Sequence, residues 1–255
     1  MDSVRARRMA RHIRRAIREE PQTPTPLPAG GFDHAGAQRY ELEHNRVTIE
    51  ETFPELFTLW QAEKMKGSLW QSANDLWFCG NEQLWSGYRD HIRDRKCLEV
   101  GSGPYGYLAP CYWIKDRTIV DPLIDEYRAY QLELTGSTFF TDDIKTYRLQ
   151  AEEAIPALYG KINGCIICQN ALDHCEYPLA ILRMLSEYAA SGCYFLLWTD
   201  IWHLAGVDAG HRNITRSTKA MDSLLNGLGF EILQNGGNIR NADEYIEYGR
   251  IARKV

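Results

Sequence analysis

Arg95 to Gly106 read RKCLEVGSGPYG, a short apolar strand candidate running directly into three closely spaced glycines. From Gly101 the spacing satisfies G-x-G-x-x-G, the pattern of a loop that turns sharply after a strand and lets backbone approach a ligand. Two features sit oddly with a pyrophosphate in that loop. Glu99 places a carboxylate two residues before the first glycine, and Pro104 follows the second. A carboxylate beside a pyrophosphate is repulsive, whereas one beside a cationic group is attractive.

Downstream of the loop, short apolar runs alternate with helical patterns. RTIVD (117–121) reads as a second strand, STFF (137–140) as a third, GCIICQN (164–170) as a fourth and CYFLLWTD (193–200) as a fifth. Helices are expected at about 122–134, 178–190 and 215–227, the last stopped by Gly227 and Gly229. That alternation predicts crossovers and a parallel sheet covered on both faces. The end of the chain differs: GFEIL and YIEYGRIARKV read as two strands without an intervening helix, a closing antiparallel hairpin. In such a sheet ligands bind beyond the carboxyl ends of the strands, beside the first. There Asp121 is placed to accept hydrogen bonds from ribose hydroxyls, and the run CQNALDHCEYP (168–178) leads polar residues to the mouth. A helix after the glycine loop would offer free amides to an anion.

Upstream, composition divides the chain. Residues 1–20 read as a basic amphipathic helix with Met9, Ile13 and Ile17 in one stripe. Seven arginines stand against one acid through Arg18, a local net of +6 that leaves −11 on the remainder of a chain of net charge −5. The expected roles of this helix are docking on its own acidic body, on a partner subunit or on an anionic surface such as a membrane or nucleic acid. Residues 21–31, PQTPTPLPAGG, are a Pro/Gly linker. Residues 32–94 are helical and aromatic-rich: Phe53, Leu56, Phe57 and Trp60 share a face, followed by Trp70, Trp77, Phe78, Trp85 and Tyr88. Aromatics at that spacing pack a core more often than they line a pocket.

Seven cysteines in apparent core strands suit a reducing compartment rather than a disulfide framework. Cys165 and Cys168, a C-x-x-C, fall on opposite faces of a strand and do not share a metal. With no apolar run of about 20 residues and no secretory-type N-terminus, the expected location is cytoplasmic.

Taken together, Glu99-x-Gly101-x-Gly103, Asp121 after a strand, AEEAIP (151–156), NALDH (170–174) and LLNGLGFEIL (224–233) resemble, in that order, the class I S-adenosylmethionine-dependent methyltransferases. The resemblance covers residues 95–255. It implies a seven-stranded, Rossmann-like, mostly parallel sheet with an antiparallel last strand, preceded by an N-terminal helical extension that caps the site. It also implies S-adenosylmethionine as cofactor. Glu99, Gly101, Ser102 and Gly103 would surround the methionine part, Asp121 with Pro122 the ribose, and Ala151 with Glu152 the adenine, with Asn170 on the floor. Many members carry glycine where this chain has Tyr105, so Tyr105 or Tyr107 is expected to face the cofactor or the acceptor.

The implied reaction is methyl transfer to a hydroxyl or amine of a small molecule. A hydroxyl acceptor needs a proton removed. The candidate bases are His174 in NALDH and His211 in GVDAGHRN (206–213), with Asp173 to orient a histidine or bind an acceptor hydroxyl. Asp173, His174, Asp208 and His211 lack a metal-ligand spacing signature, and no metal is expected. Three alternatives remain: an NAD(P)-dependent oxidoreductase, from the literal glycine pattern; an RNA methyltransferase using the basic arm; and a module that binds the cofactor without turnover.

Overall fold

The computed structural model describes residues 34–65, 90–203, 213–235, 240–241 and 245–255. The basic segment, the linker, Trp70, Trp77, Phe78, Trp85, Tyr88, Asp208 and His211 lie outside them. The elements are α1 (His34–Met65), β1 (Lys96–Val100), β2 (Asp116–Val120), α2 (Ile124–Thr135) and β3 (Lys145–Tyr147). They continue with β4 (Cys165–Gln169), α3 (Pro178–Tyr188), β5 (Tyr194–His203), α4 (Thr218–Gly227), β6 (Phe230–Asn235), β7 (Arg240–Asn241) and β8 (Tyr245–Lys254).

Seven strands form one sheet in the order β3-β2-β1-β4-β5-β8-β6. The first five are parallel to their neighbours, and β8 inserts antiparallel between β5 and β6. The two-residue β7 adds a short pairing to β8. β4 is buried at every residue, as a central parallel strand covered on both sides requires. On one face Leu98, Val100, Ile166, Phe195 and Leu197 pack with Ile181, Leu182 and Leu185 of α3 and Met221 and Leu225 of α4. On the other, Cys97, Cys165, Ile167, Leu196 and Ile251 pack against the 108–114 segment. Cys165 and Cys168 thus belong to opposite layers, as a period of two dictates.

Two expectations are corrected. The third strand is Lys145–Tyr147, not STFF. Phe139 and Phe140 are buried with α1 and α2, and the amide of Phe139 donates to the Gln131 side chain (3.0 Å) instead of to a ladder. The bulk of the two rings is better covered by the helical layer than at a sheet edge. Second, residues 101–115 form turns, not a helix. Gly101, Gly103 and Gly106 all take positive φ and Pro104 and Pro110 interrupt the segment, a composition that punctuates a chain instead of propagating a helix. Glu99 folds this loop back on β1, accepting from the amides of Tyr107 (2.7 Å) and Leu108 (2.9 Å).

The helical extension expected before the sheet is present in α1. Ile49, Phe53, Leu56 and Phe57 bury against Ile124, Tyr127, Phe139 and Ile144. Among the described residues, no helix is long and apolar enough to cross a membrane.

Candidate functional site

The glycine loop leaves the carboxyl end of β1 with Gly101 at φ +69, its amide donating to the Val120 carbonyl (2.9 Å). A Cβ there would lie 2.2 Å from the Cβ of Ala171, so the loop passes flush against the segment after β4. Gly103, at φ +57, is the opposite case: a Cβ would meet nothing within 4 Å. One glycine is required by a neighbour, and the other opens onto space.

Asp121, buried at the end of β2, organises this mouth. Its Oδ2 accepts from the Gly103 amide (2.9 Å) and the Ser102 hydroxyl (3.2 Å), and its Oδ1 from the Leu123 amide (2.8 Å). Burial raises its carboxyl to about 6, with the charge of Glu41 adding to the rise. Burial likewise raises Glu99 to about 8, reinforced by the charge of Asp121. The charged groups acting on the two acids are themselves carboxylates, Asp121 on Glu99 and Glu41 on Asp121.

The other candidates fall around the same opening. Pro122 continues from Asp121, its carbonyl accepting from Arg148 Nε (3.3 Å). Ala151 and Glu152 lie in the turn after β3, and Glu152 Oε1 accepts from the Glu176 amide (2.7 Å), bracing the loop after β4. Asn170 ends β4 with φ +47, its amide donating to the Trp198 carbonyl (2.6 Å). That left-handed kink turns NALDH away from the ladder and into the mouth. Asp173 is fully buried, its Oδ1 accepting from the Thr199 hydroxyl (2.8 Å). The His174 imidazole, 24% exposed, lies between two carboxylates: Nε2 is 3.7 Å from Asp173 Oδ2 and Nδ1 is 3.8 Å from Glu41 Oε2.

Tyr105 turns to the cap. Its hydroxyl bonds Thr52 of α1 and its ring stacks on Phe53 with centroids 6.3 Å apart. A phenol inserted where many members have glycine therefore joins the loop to the helical extension. Among the described residues, no group of three His, Cys, Asp or Glu side chains is arranged to hold a metal.

Residues not singled out from sequence also shape the site. Gln131 of α2 donates to the Pro104 carbonyl and accepts from Thr138 (2.7 Å), fixing the loop from behind. Glu41 and Asn45 of α1 reach the cleft, Asn45 Nδ2 donating to Glu41 Oε1 (3.2 Å) and to the Tyr127 hydroxyl (3.1 Å). The available signal was their four-residue spacing from each other and from Ile49, which continues the stripe of Phe53 and Phe57.

No sequence-family model matches the chain, and no curated protein does by sequence. Solved structures do match. The 4+2 cyclase SpnF superposes with a TM-score of 0.55 at 13% identity, over 90% of this chain and 98% of that one. Burkholderia thailandensis 1,6-didemethyltoxoflavin-N1-methyltransferase, with 1,6-didemethyltoxoflavin and S-adenosylhomocysteine bound, gives 0.51 at 13% identity, over 93% and 97%. A Galdieria sulphuraria protein assigned as a sarcosine dimethylglycine methyltransferase gives 0.51 at 11%, over 68% and 83%. The fold is that of the class I S-adenosylmethionine-dependent methyltransferases. In the methyltransferase fold the present site occupies the carboxyl ends of β1, β2 and β4, where a doubly wound sheet binds its ligands. A cyclase among these neighbours means that reaction must be argued from side chains and not from architecture.

Proposed function

We propose that this protein binds S-adenosylmethionine and transfers its methyl group to a hydroxyl or amine of a small molecule. The observation that carries this reading is the acid-lined glycine cradle: Glu99 and Asp121 are buried side by side, with Asp121 acting on Glu99 and Glu41 acting on Asp121, next to a Gly103 that opens onto empty space. The donor set suits a sulfonium and ammonium ligand with a ribose. It suits the phosphates of NAD(P) less well, because they would face the Asp121 carboxylate.

In this reading Gly101, Ser102 and Gly103 cradle the methionine end with Glu99 beneath them, and Asp121 and Pro122 take the ribose. Ala151 and Glu152 flank the adenine, with Asn170 on the floor. When bound, S-adenosylmethionine supplies a methyl group already activated for displacement, so the protein's work is alignment and exclusion of water. A ring nitrogen of His174 takes the proton released as the acceptor's oxygen or nitrogen bonds to the methyl carbon. The cofactor would supply the electrophilic methyl carbon and, as its thioether product, the leaving group. Asp173, held by Thr199, lies beside His174 Nε2 and stabilises the imidazolium that results. The position of α1 against the glycine loop supports a roofed site for a small acceptor. The described cysteines are all buried thiols outside disulfides, which supports a reducing compartment such as the cytoplasm.

Calorimetric titration with S-adenosylhomocysteine and with NAD tests the cofactor. Binding of S-adenosylhomocysteine and not NAD is expected, and the reverse overturns the proposal. Release of S-adenosylhomocysteine from S-adenosylmethionine across panels of small hydroxyl and amine acceptors tests turnover. His174→Ala is expected to lower turnover by about 100-fold or more with cofactor affinity intact. Full turnover in both His174→Ala and His211→Ala removes the histidine base.

A further inference from the structure

α1 carries one inward stripe whose chemistry changes along its length. Over α2 and the 139–144 segment it is apolar, with Ile49, Phe53, Leu56 and Phe57 buried. One and two turns earlier the same stripe continues as Asn45 and Glu41, where the helix comes within 3.8 Å of His174 in the segment after β4. Polar residues facing inward cost stability unless they find partners, and rules of local consistency are broken mainly where function requires it. Glu41 is held in place through Asn45, which the Tyr127 hydroxyl anchors from α2. Its side chain remains 39% exposed, within 3.8 Å of His174 and close enough to Asp121 to raise that carboxyl.

The acceptor capacity of the mouth is limited. A carboxylate offers about four lone-pair sites. Asp121 already accepts from Leu123, Gly103 and Ser102, which leaves room for about one more donor. A ribose brings two hydroxyls. Among the described residues, Glu41 accepts from Asn45 alone, at Oε1.

Building on the cofactor reading above, we propose that Glu41 of the cap helix is a cofactor-binding residue that accepts a ribose hydroxyl, sharing the sugar with Asp121. The helical extension is then part of the nucleoside site and not only a roof over the acceptor, and nucleoside binding and docking of α1 favour each other.

The test is calorimetry on the full-length protein with S-adenosylhomocysteine, adenosine and 2′,3′-dideoxyadenosine as probes. Glu41→Gln keeps the shape and the Asn45 contact but weakens the acceptor, and Glu43→Gln, exposed on the outer face of α1, is the control. Glu41→Gln is expected to weaken S-adenosylhomocysteine and adenosine by about ten-fold, the size of one lost charge-assisted hydrogen bond. Glu43→Gln is expected to bind like wild type, and the unliganded melting temperature of both variants to stay unchanged. With dideoxyadenosine the difference between wild type and Glu41→Gln is expected to vanish. Equal adenosine binding by wild type and Glu41→Gln overturns the inference, as does a ten-fold loss that persists with the dideoxy probe, since the effect is then indirect. Failure of the wild-type protein to bind S-adenosylhomocysteine or adenosine at all overturns the cofactor reading itself.

Discussion

Alanine at Gly101 and at Gly103 separates two reasons for a glycine, and the structure predicts opposite phenotypes. Both residues take positive φ, so each substitution carries the left-handed penalty of about 1–2 kcal/mol. At Gly103 that is the whole stability cost, because the added methyl meets no protein atom within 4 Å. At Gly101 the methyl would sit 2.2 Å from the Cβ of Ala171. Carbon atoms pack at about 3.5–4.0 Å, so the loop or NALDH must move by more than about 1 Å. Ala171 precedes Leu172, which has no exposed surface, so the displacement works against a close-packed layer. Such overpacking adds about 1–3 kcal/mol. Gly101→Ala is therefore expected to cost about 2–5 kcal/mol, a fall in melting temperature of about 5–15 °C for a chain of this size. Gly103→Ala is expected to lower the melting temperature by only a few degrees. In calorimetry, however, it should weaken S-adenosylhomocysteine by more than about ten-fold, because its methyl fills the cradle. Equal melting temperatures for the two variants, or wild-type affinity in Gly103→Ala, would refute the assignment of which glycine faces the neighbour and which faces the ligand.

Further outcomes follow from the buried acids, the cap and the thiols. Glu99 rises from an ordinary 4.5 to about 8 on folding, so between those values the folded protein holds a proton that the unfolded chain has released. Unliganded stability is therefore expected to fall as pH climbs through that window, with Asp121 contributing the same slope between 3.8 and about 6. Melting curves that stay level from pH 6 to 8 contradict this. Glu99→Gln should flatten that limb, yet still destabilise by about 1–3 kcal/mol, because an amide group cannot accept from both the Tyr107 and Leu108 amides. For the cap, a double-mutant cycle with Tyr105→Phe and Thr52→Val should give a coupling of about 1 kcal/mol in chemical denaturation, and additivity would place the two hydroxyls apart. Burial pushes the Cys168 thiol to about 12 and the Cys175 thiol well above its ordinary value, and a hydrogen bond with Cys97 together with burial raises the Cys165 thiol likewise. These sites are expected to resist a thiol reagent at neutral pH until the protein is unfolded, and rapid labelling in the native state would contradict their burial.

Much of the fold was legible because its signals are local. A buried strand such as GCIICQN is apolar at consecutive positions, Pro178 stands at a helix start, and the final pair of strands lacks room for a helix. STFF misled because two phenylalanines look alike in a strand and in a loop that feeds a helical core. The difference lies in Gln131, whose side chain replaces the ladder partner and whose role depends on where α2 lies. Similarly, the glycine spacing predicted a sharp turn after β1 but also a helix that is not there, because Glu99 captures the amides that would have begun it.

By itself, the sequence determined most of the strands and helices after Asp121, the position of an acid-flanked glycine loop at the end of the first strand, and the alternation that sends Cys165 and Cys168 into opposite layers. Those follow from periodicity and backbone restriction, which act over a few residues. Only the tertiary structure decided what the polar side chains do. It committed Asp121 to the amides of Gly103 and Leu123, turned Tyr105 onto Thr52, and brought Glu41 from a helix 133 residues earlier in the chain to the imidazole of His174. Hydrogen bonds and charges act over a few ångströms in space, and separation along the chain does not encode which distant group will arrive.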